Sequence, residues 1–158
     1  FGSYDPDTIY ERIEYLASGL ETKVVFLDHL SILLSGLEGD ERRMIDTTMT
    51  RLRSLVERTG ISLFLVCHTT TPQNGQSHEE GGRVQLRSLR GSRSIGQLSD
   101  AVIALERDQQ SGSERDATTV RVLKNRYSGE VGVACQLKYD LETCKFNETK
   151  ESNPTEDF

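Results

Sequence analysis

Val24-Val25-Phe26-Leu27-Asp28 and Ile61-Ser62-Leu63-Phe64-Leu65-Val66-Cys67-His68 are two short apolar runs, each closed by a polar residue. Runs of this length with little alternation fit strands buried on both faces, as in a parallel sheet. Between them, Asp40 is placed to cap a helix with the stripe Met44, Thr48, Leu52, Leu55 and Val56, and Gly60 is placed to end it. Upstream, Asp5 caps and Pro6 opens a first helix, with Ile9, Ile13, Leu16 and Leu20 at helical spacing and Gly19 as its stop.

Downstream, residues 69–82 are polar, contain glycine and lack periodicity, so they read as a loop. Arg87 to Ser99 includes a short helix, and Ala101-Val102-Ile103-Ala104-Leu105 is a third apolar strand ending in Glu106-Arg107. After a charged loop, residues 119–124 alternate like a half-exposed strand. Residues 133–139 and 144–146 form an antiparallel hairpin. The expected fold class is α/β: a mostly parallel sheet flanked by helices, with a C-terminal antiparallel hairpin. Residues 1–147 are read as one domain and residues 148–158 as a disordered acidic tail.

Composition narrows the classes. At 158 residues and 35% hydrophobic content the chain suits one modest core, and no apolar run approaches the roughly 20 residues of a membrane-spanning helix. The N-terminal Phe-Gly-Ser-Tyr-Asp-Pro-Asp has no basic patch, which excludes a secretory signal in this chain. The lack of an initiator Met suggests a segment of a longer protein. With 19 Lys+Arg against 25 Asp+Glu the formal charge is −6, so nucleic acid would have to be held by a local patch or an assembled ring. Cys67, Cys135 and Cys144 form no CxxC pair, so neither a zinc site nor a disulfide framework is expected, and the thiols fit the cytoplasm.

Ligands of open α/β sheets gather at the carboxyl ends of parallel strands. An apolar strand ending in Asp28 suits magnesium, held directly or through water; the plainer reading is a helix cap or loop anchor. His68 can donate to a phosphate oxygen, or simply bond backbone at the start of a loop. In Val122-Leu123-Lys124-Asn125-Arg126-Tyr127, two cations one residue apart project to the same side and suit an anion. A solvated edge strand with protective charges reads equally well.

Six blocks in order carry a resemblance: Phe26-Leu27-Asp28-His29-Leu30-Ser31, Asp40-Glu41-Arg42-Arg43-Met44-Ile45-Asp46, Val66-Cys67-His68, Leu89-Arg90-Gly91-Ser92 with Gln97-Leu98-Ser99-Asp100, Ile103-Ala104-Leu105-Glu106-Arg107, and Leu123-Lys124-Asn125-Arg126. Over nearly the whole chain, to about Tyr139, it resembles the C-terminal part of the helicase domain of phage primase-helicases, ring-forming replicative helicases with a RecA-like core. The resemblance implies a hexameric or heptameric ring that couples hydrolysis of ATP or dTTP, with Mg2+, to movement on single-stranded DNA and duplex unwinding. It implies that Asp28 positions magnesium and that His68 senses the terminal phosphate. Arg126, with Lys124 beside it, would reach a neighbouring subunit's nucleotide. Arg107 and Tyr139 would sandwich the base, as a planar cation and an aromatic ring can, and Gln97 would lie between the phosphate site and the DNA loop.

Two departures qualify it. No Gly-x-x-x-x-Gly-Lys-Ser/Thr loop occurs, so the chain alone lacks the phosphate cradle, and the family's catalytic glutamate falls upstream of its start. Hydrolysis by the isolated chain is not expected. Second, the loop Thr69 to Ser77 has no Lys or Arg, leaving Thr70, Asn74, Gly75 and Gln76 as DNA contacts, with Arg83, Arg87, Arg90 and Arg93 nearby in sequence as channel or interface cations. The tail ending Glu156-Asp157-Phe158 resembles segments that dock on a replicative DNA polymerase, with Phe158 as the contact. Two other readings stay open: another RecA-like ATPase of recombinase or clock type, and a non-catalytic replisome docking module.

Overall fold

The computed structural model describes residues 6–34, 39–70, 72, 75–91, 93–112 and 115–149. The chain separates into two compact units, one of residues 1–68 with 89–99 and one of residues 69–88 with 100–158.

The first unit holds α1 (Pro6–Gly19), β1 (Val24–Leu27), α2 (Leu30–Leu34), α3 (Glu41–Thr59), β2 (Ser62–Leu65) and α4 (Arg93–Leu98). α3 starts and stops as its ends dictate. The Asp40 Oδ1 accepts the Arg43 N–H at 2.9 Å, and Gly60 takes φ 70°, its N–H bonded to the Val56 carbonyl. Its buried stripe is Ile45, Thr48, Met49, Leu52 and Leu55; Thr48, Leu52 and Leu55 are as expected, Val56 packs against the core, and Ile45 rather than Met44 points inward. α1 turns Tyr10 and Ile13 inward with Ile9 packed beside them, as expected for Ile9 and Ile13, but leaves Leu16 and Leu20 exposed. With Leu30, Leu33, Ile61 and Ile95 these residues make the core. Gly91, at φ 101°, passes so close to this core that a Cβ there would lie 2.0 Å from Ile45 Cδ1.

β1 and β2 pair in parallel, Val24 opposite Ser62 and Leu27 opposite Leu65. Expected to be buried on both faces, they are covered on one. Val25, Leu27, Leu63 and Leu65 pack on the core. Phe26 and Phe64 stack on each other at 4.7 Å on the other face, 72% and 50% exposed. Pleating sends alternate residues to opposite faces whatever their polarity, and the core elements of this unit supply cover on one side only.

The second unit holds a 3-10 turn at Leu86–Ser88, then β3 (Ala101–Glu106), β4 (Ala117–Asn125), β5 (Gly132–Asp140) and β6 (Lys145–Glu148), an antiparallel sheet in that order. Among the described residues parallel pairing is therefore confined to β1 and β2, and the antiparallel part is larger than the closing hairpin read from the sequence. β3 pairs antiparallel with β4 across the loop of residues 107–116, which falls short of the dozen or so residues of a parallel crossover. No helix among the described residues is long and apolar enough to cross a membrane.

Candidate functional site

In the first unit, Asp28 and His68 follow the carboxyl ends of adjacent parallel strands. Backbone bonds tie the two ends together: the Val66 N–H donates to the Leu27 carbonyl at 3.0 Å, and the Leu30 N–H to the Val66 carbonyl at 2.9 Å. Asp28 is exposed and its carboxylate has no ion-pair or hydrogen-bond partner among the described residues. His68 is also exposed. Its carbonyl accepts the Arg90 N–H at 3.0 Å, and its ring meets that of His29. A recess beside it is lined by Ser31, Glu41, Cys67 and Arg90, with Arg90 Nε 3.4 Å from Glu41 Oε1. Burial pushes the Cys67 thiol up to about 11, so it stays protonated near neutral pH and is a poor nucleophile. Gln97 is exposed on α4, which Ile95 holds in the core.

Among the described residues no three His, Cys, Asp or Glu side chains gather to hold a divalent ion. A single free carboxylate still fits magnesium, which keeps several waters and completes its shell with phosphate oxygens.

In the second unit, Lys124 lies in β4 opposite Val102, while Arg126 falls in the turn after the strand. Strand alternation therefore does not direct Arg126. Asp100 does: its carbonyl accepts the Arg126 N–H at 2.8 Å and its Oδ1 accepts Arg126 Nη1 at 2.8 Å. Asn125 stiffens the same turn, its Oδ1 accepting the Tyr127 and Ser128 N–H groups.

Arg107 and Tyr139 converge on Asp116. Arg107 Nη2 lies 3.8 Å from the Asp116 carboxylate, its Nε donates to the Arg115 carbonyl, and the Tyr139 N–H donates to the Asp116 carbonyl at 3.0 Å. The Tyr139 ring packs against Phe146 at 5.1 Å, and its phenol is held up by its hydrogen bond with Cys144.

Of the loop residues, Thr70 is turned onto its own loop, with both N–H and hydroxyl on the Ser88 carbonyl. Gln76 bonds the Glu80 carbonyl, and Gly75 is exposed with φ 97°. Asn74 and Phe158 lie outside the described residues. The base of the loop is held by Glu106, which the sequence reading left without a role. Its carboxylate, 8% exposed, accepts Arg121 Nε on both oxygens at 3.0 Å and the Val84 N–H at 2.8 Å. Glu106 and Arg121 are buried on one sheet face, which strand alternation alone could have hinted at. His29 was also passed over, though it adjoins Asp28.

Polar groups at the carboxyl ends of parallel strands, followed by an antiparallel sheet, define an α/β core of the kind that binds ligands at its strand ends. The chain belongs to the DnaB-like helicase C terminal domain family, whose profile matches residues 3–148. It is 42% identical over 144 residues to the DNA helicase/primase of Enterobacteria phage T3, covering 90% of this chain and 25% of that protein. It is similar in fold to a DnaB-like replicative helicase whose structure was solved to show its interactions with primase, at TM-score 0.70 and 18% identity, over 90% of this chain and 34% of that one. The chain thus spans about a quarter of the length of its phage relative.

Proposed function

We propose that the chain is the second half of a replicative DNA helicase motor, a ring of six or seven subunits that couples hydrolysis of ATP or dTTP to movement on single-stranded DNA and duplex unwinding. The observation that supports this is that Asp28 and His68 follow the carboxyl ends of adjacent parallel strands, whose ends are tied by backbone bonds. Magnesium, when bound, offsets charge on the phosphates; Asp28 holds it directly or through water. His68 donates to the terminal phosphate. From the neighbouring subunit, Arg126 and Lys124 reach the same phosphate and stabilise charge in the transition state. Arg107 and Tyr139 hold the base between cation and ring; Asp116 lies beside both, against the Arg107 guanidinium and the Tyr139 backbone N–H. Gln97 links the phosphate end to the loop of Thr70, Asn74, Gly75 and Gln76, which grips DNA through amides and hydroxyls. Without a phosphate-cradling loop this chain by itself does not hydrolyse nucleotide; the remainder of the polypeptide or a partner supplies it. The protein works in the cytoplasm, that of the host cell if it is phage-encoded.

The test is made in the ring-forming protein that carries this chain. Nucleotide hydrolysis is expected to rise on adding single-stranded DNA, forked duplexes are expected to unwind, and Asp28→Asn is expected to abolish both. Hydrolysis without unwinding would favour a recombinase or clock-type ring, and absence of nucleotide binding a docking module. Phe158 is proposed as the polymerase contact. Deleting it is expected to weaken polymerase binding without changing hydrolysis, and unchanged binding would remove that role.

A further inference from the structure

We propose that His29 is a positioning residue for His68, contacting the second nitrogen of the His68 ring when the first engages a phosphate. This rests on the reading of His68 as the phosphate sensor. The two rings meet edge to face, centroids 4.4 Å apart and planes at 60°, because both residues lie just beyond β strands whose ends are tied by the Val66 and Leu30 backbone bonds. A side-chain torsion alone can bring ring nitrogens at this separation into hydrogen-bond reach.

The second observation concerns His29 itself. Its Nδ1 is closed off from solvent and has no hydrogen-bond partner among the described residues. A buried polar atom left without a partner is unfavourable, and phenylalanine would fill the same space without that penalty. Packing therefore does not account for a histidine here, whereas a nitrogen that gains its partner when nucleotide binds does. An imidazole that donates through one nitrogen needs the other engaged, since that contact sets both tautomer and ring orientation. Among the described residues beside His68, Arg90 donates its backbone N–H to the His68 carbonyl rather than to the ring, and Glu41 faces Arg90. The ring contact of His68 is with His29.

The experiment is single-turnover, DNA-stimulated nucleotide hydrolysis in the ring-forming protein. His29→Phe, which keeps the ring but not the nitrogen, is expected to lower the rate roughly tenfold with KM changed less than about twofold. His29→Gln, which retains a hydrogen-bonding group, is expected to recover part of the loss. The double variant His29→Phe/His68→Ala is expected to be no slower than His68→Ala alone, because His29 acts through His68. If His29→Phe rings do not assemble, His29→Leu takes its place in the same cycle. A wild-type rate without the nitrogen, no recovery in His29→Gln, or additive losses in the double variant would overturn the proposal. A wild-type rate in His68→Ala would instead overturn the assignment of His68 on which it rests.

Discussion

Arg126→Ala in the assembled ring is expected to lower nucleotide turnover by about 10^3-fold or more, the scale at which a trans-acting arginine contributes to phosphoryl transfer. The residue is suited to an isolated test. It lies beyond the end of β4 in a turn stiffened by Asn125, and its side chain is 43% exposed. Its ion pair with Asp100 is itself partly exposed, so losing that pair costs roughly 1 kcal/mol or less. Subunit folding and ring assembly are therefore expected to survive. Because the guanidinium would act on a neighbour's nucleotide, mixing Arg126→Ala subunits with Asp28→Asn subunits is expected to restore part of the turnover. One variant then supplies the arginine and the other an intact metal-binding face. Unchanged turnover in Arg126→Ala would remove the role, and no recovery on mixing would place the arginine in its own subunit's site.

Glu106→Ala is expected to destabilise the second unit by about 3–5 kcal/mol, because it strands a buried guanidinium rather than trimming a surface pair. Glu106 and Arg121 are 8% and 12% exposed, and the carboxylate also takes the Val84 N–H. Alanine would leave both donors without an acceptor in a place that excludes water. Urea unfolding checks this as a lower midpoint at unchanged slope. Glu106→Gln, which still accepts from Val84, is expected to lose less. Replacing both Glu106 and Arg121 by apolar residues of similar volume is expected to lose less again, since no charge is then left unpaired. A shift below about 1 kcal/mol for Glu106→Ala would show that the pair does not hold this part of the sheet.

Glu106 and Arg126 also mark where legibility ended. The ends of α3 could be read from Asp40 and Gly60, because a cap is made within three or four residues of itself. The strands could be read because pleating and burial leave an apolar signature, and Asp28 and His68 stood out because each closes such a run. These features depend on neighbours in the chain, and the sequence by itself determined them. Tertiary structure alone decided which charge meets which. Arg126 finds Asp100 across 26 residues, Val84 finds Glu106 across 22, and Glu106 finds Arg121 across 15. With 44 Lys, Arg, Asp and Glu side chains (19 and 25) in the chain, sequence offers many partners of equal chemistry, and only folding selects one by distance. The same holds for β3, whose apolar run suits either pairing direction but joins β4. It holds as well for His29, whose buried nitrogen and contact with His68 arise only once two distant strand ends lie side by side.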